Sequence, residues 1–339
     1  MGNKATVAVL MGGLSLEHEV SLRSGEGVAA ALLAMGYRVI KITICKDGRW
    51  QLGAEPPMSV FKGLRLLETE HVDCVFIALH GTYGEDGRIQ GLLDVLGFPY
   101  TGSGCAASAL CMDKSRSKDV VAASGVSTAL KFCVTLSEWQ ERPQQVINRS
   151  MDLMGFPVVL KAPCQGSSCG LAIVQNEDEF TRNMNEILLL EGLVMVEAYI
   201  TGLEVTCSVL DTIQAGSPQA LPVTEIRPKE SSFFDYYSKY TPGATREITP
   251  AQIGESLTQQ VQEQAVAAHT SLGCQSWSRS DFIIGEKGPV WLEVNTLPGL
   301  TETSLFPQAA AEAGISYNEL VCMLTEDAMD RHRLTSSTG

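Results

Sequence analysis

The N-terminal third of the chain alternates short apolar, β-branched runs with segments whose apolar residues recur at helical spacing. "TVAVL" (6–10) predicts a strand that ends near two glycines. "SLRSGEGVAAALLAMG" (21–36) carries apolar residues at helical spacing and ends at a glycine, which predicts a helix. "YRVIKITI" (37–44) and "VDCVFIAL" (72–79) predict further strands, and "GRIQGLLDVLG" (87–97) predicts a short helix. Strand–helix–strand units predict an α/β fold with a parallel, doubly wound sheet. Its functional groups are expected in the turns "GGLSLEHEVS", "HGTYGEDG" and "TGSGCAAS", which follow strands.

The rest of the chain predicts two further regions of mixed helix and strand. The second region begins with one helix, "SALCMDKSRSKDVVAASG", and runs to about residue 199 through strands that include "FPVVLKAP" and "GLAIV". The third region has longer strands, "LEVTCSVLD", "QALPVTEI", "RSDFII" and "VWLEVN", and a helical tail. Residues 229–250 read as one long loop without periodicity, and loops of that length inside compact enzymes are usually functional.

Composition excludes several classes of protein. The 339 residues are enough for two or three domains, and 45% apolar with 19% charged residues is typical of a globular protein. A net charge of −14 argues against a nucleic-acid partner, and no window approaches the roughly 18 apolar residues of a membrane span. The ten cysteines form no C-x-x-C pair, which favours a reducing cytoplasm without a disulfide framework or zinc site.

The segment "GSSCG" (166–170) fits two kinds of site. It matches G-x-S-x-G, the nucleophile elbow of α/β-hydrolases, and it is also a small-residue loop whose N–H groups could cover phosphates. An elbow needs a helix directly after its serine, but the next residues, "LAIVQ", predict a strand. The pattern therefore favours a hairpin with Lys161 on its outgoing strand, an arrangement that suits polyphosphate. A plain solvent-exposed hairpin remains the alternative.

Other nucleotide signatures are missing or weak. The P-loop pattern G-x-x-x-x-G-K-[ST] does not occur. "GSGCAA" (102–107) matches G-x-G-x-x-A, but no acidic residue follows about 20 positions later to bind a ribose.

Two C-terminal strands, separated by the turn "GEKG", carry charged residues within apolar sequence. Glu293 and Asn295 are two residues apart and face one side, and Asp281 on the neighbouring strand can face the same way. Two carboxylates and an amide oxygen suit Mg²⁺ that carries nucleotide phosphates, although acidic residues on strands are more often simply solvated. Arg279 shares the face of Asp281 and could stabilise charge on a transferring phosphoryl group.

Taken in order, these segments resemble the D-alanine–D-alanine ligases of the ATP-grasp superfamily along nearly the whole chain. The matching blocks are "GGLSLEHEVS", "IALHGTYGEDGRIQGLLDVLGFPYTGSG", "SALCMDK", "VVLKAPCQGSSCG", "FFDYYSKY" and "LEVNTLPGLTETSLFP". Each block is specific, and their common order makes chance agreement negligible.

The resemblance implies an ATP-grasp fold of three α/β domains. These would be a Rossmann-like substrate domain over 1–104, a central ATP-grasp domain over 105–199, and a C-terminal ATP-grasp domain over 200–339 with the metal and acceptor site. The implied reaction joins two D-alanines through an acyl phosphate, releases ADP and phosphate, and serves peptidoglycan precursor synthesis. The resemblance also implies ATP as substrate, two Mg²⁺ ions that Mn²⁺ can replace, and a cytoplasmic homodimer.

The resemblance further implies which residues bind the nucleotide and its metal ions. Lys114 and Lys161 resemble the lysines that bind the phosphates, under a flap that contains Ser168. The positions on the adenine and ribose side are Glu197, Ala198, Ile200 and Glu204. The implied metal ligands are Asp281, Glu293 and Asn295.

Substrate positions follow from the same resemblance. Glu17 matches the residue that binds the ammonium group of the first D-alanine, and its hydrogen-bonded partners match Ser167 and Tyr240. Arg279 and the N–H of Gly299 resemble the oxyanion hole. Ser304, with Leu305 beside it, matches the position that binds the carboxylate of the second amino acid. His80 and Lys239 resemble active-site residues that help to orient the reacting groups.

Some positions depart from the family pattern and leave alternatives open. Ala198 replaces a residue that is often charged beside the adenine, Gln165 replaces a common glutamate, and Cys169 and Ser280 replace residues that are more often aliphatic. Tyr240 favours an amine over a hydroxy acid as acceptor. A D-alanine–D-serine ligase, another ATP-grasp carboxylate–amine ligase, and a nucleotide-binding protein without turnover are the alternatives.

Overall fold

The N-terminal region forms a sheet whose central strands are parallel. The computed structural model describes residues 4–166, 169–228 and 245–336. The strands of the first sheet are β1 (Thr6–Gly12), β2 (Arg38–Ile44), β3 (Trp50–Leu52) and β4 (Cys74–Ile77). In the order β3-β2-β1-β4, the strands β2, β1 and β4 run parallel, and β3 runs antiparallel to β2. The helices of this region are α1 (His18–Ala34), α2 (Val60–Thr69) and α3 (Arg88–Leu96). This confirms the predicted parallel sheet, in which β1 and β4 are almost wholly buried.

Two short helices follow where the sequence predicted one. They are α4 (Cys105–Met112) and α5 (Lys114–Ala123). The single-helix prediction is wrong because the side chain of Asp113 caps α5, accepting hydrogen bonds of 3.0 Å from the N–H groups of Ser115 and Arg116. Both helices bury side chains, Cys111 and Val121, in the core of the third sheet.

The second sheet is antiparallel and contains the predicted hairpin. Its strands are β5 (Lys131–Thr135), β6 (Val158–Lys161), β7 (Leu171–Val174) and β8 (Leu193–Ala198), in the order β5-β8-β6-β7. Its helices are α6 (Leu136–Glu141), α7 (Pro143–Leu153) and α8 (Glu177–Glu191). Strands β6 and β7 pair from Val158 with Val174 to Lys161 with Leu171. A strand therefore follows the "GSSCG" loop, which confirms the hairpin and excludes the nucleophile elbow.

The third sheet is also antiparallel and is larger. Its strands are β9 (Leu203–Asp211), β10 (Gln219–Ala220), β11 (Thr224–Pro228), β12 (Thr245–Ile248), β13 (Ser276–Gly285) and β14 (Gly288–Asn295). The order is β12-β11-β9-β13-β14, with β10 on β9, and the helix α9 (Glu255–Ser271) packs on it. The single strand predicted for "QALPVTEI" is wrong, because an irregular segment that contains Pro222 separates β10 from β11. The loop prediction for 229–250 is wrong at 245–248, which form β12; residues 229–244 lie outside the described residues.

The C-terminal helices return to the first sheet. They are α10 (Leu305–Glu312) and α11 (Tyr317–Ser336). The ring of Trp277, on β13, lies 5.8 Å from that of Phe76 and 6.4 Å from that of Phe306, so β4, β13 and α10 share one core. In the described part of the chain, no helix has the length and apolar content needed to cross a bilayer. The α/β prediction is confirmed, whereas the predicted domain boundaries at 104/105 and 199/200 stay proposals.

Candidate active site

The turns after β1 and β4 come together because these strands are parallel neighbours. Glu17 lies at the start of α1, and its Oε2 is only 2.5 Å from where a Cβ on Gly81 would stand. Gly81 also has a positive φ of 69°, so glycine alone fits this turn beside the carboxylate. Ser15 fixes the two turns together by donating its hydroxyl to the carbonyl of His80 at 2.7 Å.

His80 connects the first sheet to the segment after β14. Its Nδ1 lies 3.0 Å from the carbonyl oxygen of Leu297, which can only accept, so Nδ1 carries the proton. Its Nε2 then accepts from the hydroxyl of Ser24 at 2.9 Å. Burial lowers the pKa of His80, against the opposing effect of Glu17, and keeps the ring neutral. The structure thus places His80 beside Glu17 as a neutral tether.

Glu85 belongs to the same turn and was not singled out from the sequence. Its Oε2 accepts a hydrogen bond of 3.2 Å from the N–H of Gly81. Burial, and then the negative charge of Glu17, raise the pKa of Glu85 to about 8. The positive charges of Arg279 and Lys114 act in the opposite direction. The quoted block "HGTYGEDG" contained this carboxylate, but nothing local in it shows that the turn folds back against Glu17.

Lys114, the first residue of α5, connects the flap to the carboxylate cluster. Its Nζ donates to the carbonyl oxygen of Gln165 at 2.8 Å and lies 3.1 Å from Oε2 of Glu293. Burial acts to lower the pKa of Lys114, but the charge and hydrogen bond of Glu293, with smaller effects of Cys164 and Glu85, together outweigh it and raise that pKa. At the next residue, Oε2 of Glu17 is 3.3 Å from where a Cβ on Gly166 would stand. Gln165 and Gly166 therefore lie between Lys114 and Glu17.

Lys161 pairs with Glu197 across neighbouring strands, and a second lysine completes the group. The Nζ of Lys161 lies 2.5 Å from Oε2 of Glu197, and the Nζ of Lys118 lies 2.6 Å from Oε1. Burial acts to raise the pKa of Glu197, but the two lysines outweigh it and lower that pKa. Burial lowers the pKa of Lys118, and Glu197 opposes that effect. Sequence reasoning missed Lys118, because a lysine on a helix is normally solvated.

A cleft between the second and third sheets collects most of the predicted nucleotide and metal positions. Those that line it are Lys114, Lys161, Glu197, Ala198, Ile200, Glu204, Asp281 and Glu293. Its apolar wall is formed by side chains from β6, β7, β13 and β14, among them Val159, Ile173, Ile283 and Leu292. An apolar slot that ends in lysines and carboxylates suits a flat base joined to phosphates.

The carboxylate cluster takes the geometry expected from the strand pattern. Asp281 pairs with Glu293 and Arg279 pairs with Asn295 in the register of β13 and β14, so all four lie on one face. Arg279 donates to both oxygens of Asp281, from Nε at 3.0 Å and from its terminal nitrogen at 3.1 Å. Asn295 Nδ2 lies 3.2 Å from Oδ2 of Asp281. A register shift between Asp281 and Phe282 marks a β-bulge, a common feature beside active sites.

The donor chemistry of this cluster fits the predicted magnesium. Asp281 and Glu293 offer carboxylate oxygens, and Asn295 offers an amide, which are the hard ligands that Mg²⁺ prefers. Their charge is now balanced by the cations of Arg279 and Lys114. Within the described ranges, no three His, Cys, Asp or Glu side chains gather as a metal cluster.

The segment after β14 places the predicted oxyanion and acceptor residues side by side. A Cβ on Gly299 would lie 2.9 Å from the Oγ of Ser304, so glycine is required for this approach. Ser304 precedes α10 and accepts the N–H of Thr301 at 3.1 Å. Leu305 is buried and packs with Ile226. Of the remaining predicted site residues, four lie outside the described residues: Ser167, Ser168, Lys239 and Tyr240.

Two antiparallel sheets that enclose a cleft lined with lysines and carboxylates are the arrangement expected of an ATP-grasp ligase. A family model for the D-ala D-ala ligase N-terminus matches residues 6–103, and one for the C-terminus matches residues 120–326. The D-alanine–D-alanine ligase of Leptospira interrogans is 41% identical, over 96% of this chain and 99% of that protein. The chain therefore belongs to the D-alanine–D-alanine ligase family.

Solved structures give the same result. The D-alanine–D-alanine ligase of Coxiella burnetii has a TM-score of 0.83 at 30% identity, covering 99% of this chain and 97% of its own. The VanG D-Ala:D-Ser ligase of Enterococcus faecalis has a TM-score of 0.80 at 29% identity, and the match covers 96% of this chain and 99% of that one. The D-alanine–D-alanine ligase of Bacillus anthracis, complexed with ATP, has a TM-score of 0.78 at 30% identity, and the match covers 98% of this chain and 99% of that one. These likenesses confirm the predicted ATP-grasp fold.

Proposed function

We propose that this protein joins two D-alanines into D-alanyl-D-alanine, with conversion of ATP to ADP and phosphate. The observation that carries the proposal is the convergence of Lys114, Lys161 and the Asp281–Glu293 pair in one cleft, whose flap reaches Glu17. A cation-lined cleft provides for phosphate groups, and the carboxylate beyond the flap provides for an ammonium group. The product serves peptidoglycan precursor synthesis in the cytoplasm, and the active form is a homodimer.

The first D-alanine binds at the Gly81 turn. Glu17 pairs with its ammonium group, and neutral His80 beside it holds the turn against the segment that carries Leu297. This places the substrate carboxylate toward the phosphate end of the cleft. The carboxylate is a poor electrophile until it receives the γ-phosphoryl group of ATP as an acyl phosphate.

Phosphoryl transfer depends on neutralised charge and fixed geometry. Lys114 and Lys161 bind the phosphate oxygens, and Asp281 fixes the guanidinium of Arg279 beside them. Two Mg²⁺ ions, when bound, would be held by Asp281, Glu293 and Asn295 and would offset the negative charge of the phosphates. The flap excludes water, which would hydrolyse an acyl phosphate.

Peptide bond formation follows when the amine of the second D-alanine attacks the acyl phosphate. The N–H of Gly299 and the guanidinium of Arg279 stabilise the oxyanion that develops. Ser304, 2.9 Å from the Cβ position on Gly299, binds the carboxylate of the acceptor. Phosphate leaves with the electron pair of the broken C–O bond, and the amine loses its proton.

D-serine as the second substrate is the competing candidate, because the VanG D-Ala:D-Ser ligase matches this structure with a TM-score of 0.80. Phosphate release from ATP and Mg²⁺ separates the two, with D-alanine, L-alanine, D-serine and D-lactate offered singly and in pairs. We expect release and dipeptide with D-alanine alone. Release only from D-alanine with D-serine would assign the variant activity, and no release from any mixture would contradict the substrate assignment.

A further inference from the structure

Lys118 lies one helical turn after Lys114 on α5 and has no exposed side-chain surface. Its ammonium group is 2.6 Å from Oε1 of Glu197 and donates to the carbonyl oxygen of Trp291 at 3.2 Å. It also lies over the ring of Trp291, 5.4 Å from the centroid. A lysine this deeply buried is rare unless its charge is paired.

These contacts join both sheets that enclose the cleft. Glu197 is on β8 of the second sheet, and Trp291 is on β14 of the third, two residues before Glu293. Trp291 is itself fixed, since its N–H donates to the carbonyl of Ser127 at 2.8 Å. Lys118 therefore contacts both the strand that carries Glu197 and the strand that carries the predicted metal ligand Glu293.

Stability alone does not account for a buried ion group of this kind. Desolvation of buried charges offsets much of their attraction, and apolar side chains of similar volume are often as stable in their place. The charge balance supplies another reason. Glu197 with Lys161 alone would be a neutral pair, whereas the three groups together carry one excess positive charge. Lys161, which is 12% exposed, is the lysine of this group that lines the cleft, together with Glu197.

We propose that Lys118 is a positioning residue of the nucleotide site, which holds Glu197 against β14 and leaves the charge of Lys161 available to phosphate. This inference rests on the proposed use of ATP. It assigns to Lys118 no contact with the nucleotide, and its effect passes through Glu197 and Lys161.

The test is Lys118→Met, with separate KM values for ATP and D-alanine from phosphate release, and ADP affinity from calorimetry without D-alanine. We expect the KM for ATP to rise and the ADP affinity to fall by about tenfold or more, which corresponds to at least about 1.4 kcal/mol. The KM for D-alanine should change less than twofold. Arg331→Met is the matched control, because it removes a partly buried cation that pairs with Asp211 and Asp327 away from the cleft.

The control should lower the melting temperature and leave both KM values and the ADP affinity unchanged. If Lys118→Met has a lower melting temperature than the wild type but binds ADP with the same affinity, Lys118 has a structural role only, and the inference is overturned. If Lys118→Met does not fold, Lys118→Gln decides in the same way, because its amide can still donate to Trp291 but carries no charge. ADP affinity is measured without an amino-acid substrate, so it does not depend on the proposed ligase activity. If that activity is wrong, the wild-type protein will show no D-alanine-dependent turnover, which is a separate result.

Discussion

The nucleotide cleft and the Gly81 turn both bury charge, but they balance it differently. In the cleft, each carboxylate of the metal cluster has a cation beside it: Arg279 binds Asp281 through two hydrogen bonds, and Lys114 lies 3.1 Å from Glu293. The side chains of Arg279 and Asp281 are 13% and 7% exposed, so solvent screens this pair little. These ion pairs are therefore already formed in the protein without a ligand.

The Gly81 turn places two carboxylates together. Glu17 lies against the Cα of Gly81, and Glu85 accepts the N–H of the same residue. Burial, and then the repulsion between the two acids, raise the pKa of Glu85 to about 8. A turn that holds two carboxylates in this way can bind a cation, and the ammonium group of a substrate is such a cation.

The difference teaches that charge pairing identifies the ligand of each region. In the cleft, the cations are already paired with carboxylates. Such a cleft suits a ligand that brings both phosphate and a divalent metal, because the phosphate can pair with the cations while the metal pairs with the carboxylates, and no buried charge is left without a partner. A turn that holds two carboxylates suits an amine. The following substitutions test this comparison, in order of expected effect.

The largest effect should come from Glu293→Gln in the cleft. The change removes a carboxylate from the predicted metal ligands and leaves Lys114 without its partner charge. Loss of an outer partner already costs roughly 10–100-fold in metal affinity, so loss of a ligand should exceed that. We expect D-alanine-dependent phosphate release to fall below detection at saturating ATP and Mg²⁺.

Glu286→Gln, in the exposed turn of the same hairpin, is its control and should retain activity. Near-normal turnover of Glu293→Gln would remove Glu293 from the metal site and with it the view that this cleft is built for a metal–phosphate ligand.

Glu17→Gln should have the next largest effect, and on the other region. Loss of a charged hydrogen-bond partner costs about 1.5–3 kcal/mol, or roughly 10- to 100-fold in kcat/KM for D-alanine. ADP affinity should not change, because the cleft keeps its charges. Glu19→Gln removes an exposed carboxylate from the first turn of the same helix and should behave as wild type. Equal losses of ADP and D-alanine binding in Glu17→Gln would contradict the separation of the two regions.

The smallest effect concerns Glu85→Gln and stability. The pKa of Glu85 is raised in the folded protein, so its contribution to stability is complete below the unfolded pKa, near 4.5, and is lost as the pH rises through about 8. Glutamine keeps the neutral state at every pH. Variant and wild type should therefore melt together near pH 4.5 and separate by a few °C at pH 9, with the variant higher.

Calorimetric melting temperatures between pH 4.5 and pH 9 measure this separation, with Glu26→Gln on the exposed side of α1 as control. Parallel curves for wild type and Glu85→Gln would show that Glu85 ionises normally, and that the Gly81 turn does not hold a neutral carboxyl group at this position. Charged neighbours from each packed element enter this balance: Glu17, Arg279 and Lys114.

Much of the fold is readable from the sequence because its signals are local. The buried strands β1 and β4 are continuous apolar runs, and the hairpin around the flap follows from two such runs separated by small residues. The alternation at Asp281, Glu293 and Asn295 gives one shared face in any antiparallel pair, and the register confirms it. The prediction failed at Asp113, which is a polar residue inside an apolar pattern. Its side chain caps the start of a new helix and does not continue the preceding one.

Other features depend on distance through space and have no local signal. Lys118 reads as a surface lysine, and it becomes a link between sheets only because β8 and β14 bring Glu197 and the carbonyl of Trp291 to it. Glu85 reads as one acid among several, and its proton depends on a turn that folds against Glu17. The sequence by itself determined the strands, the faces and the residue types of the site. The tertiary structure alone decided which charges are desolvated and which face each other, because burial and electrostatic pairing depend on contacts between residues far apart in the chain.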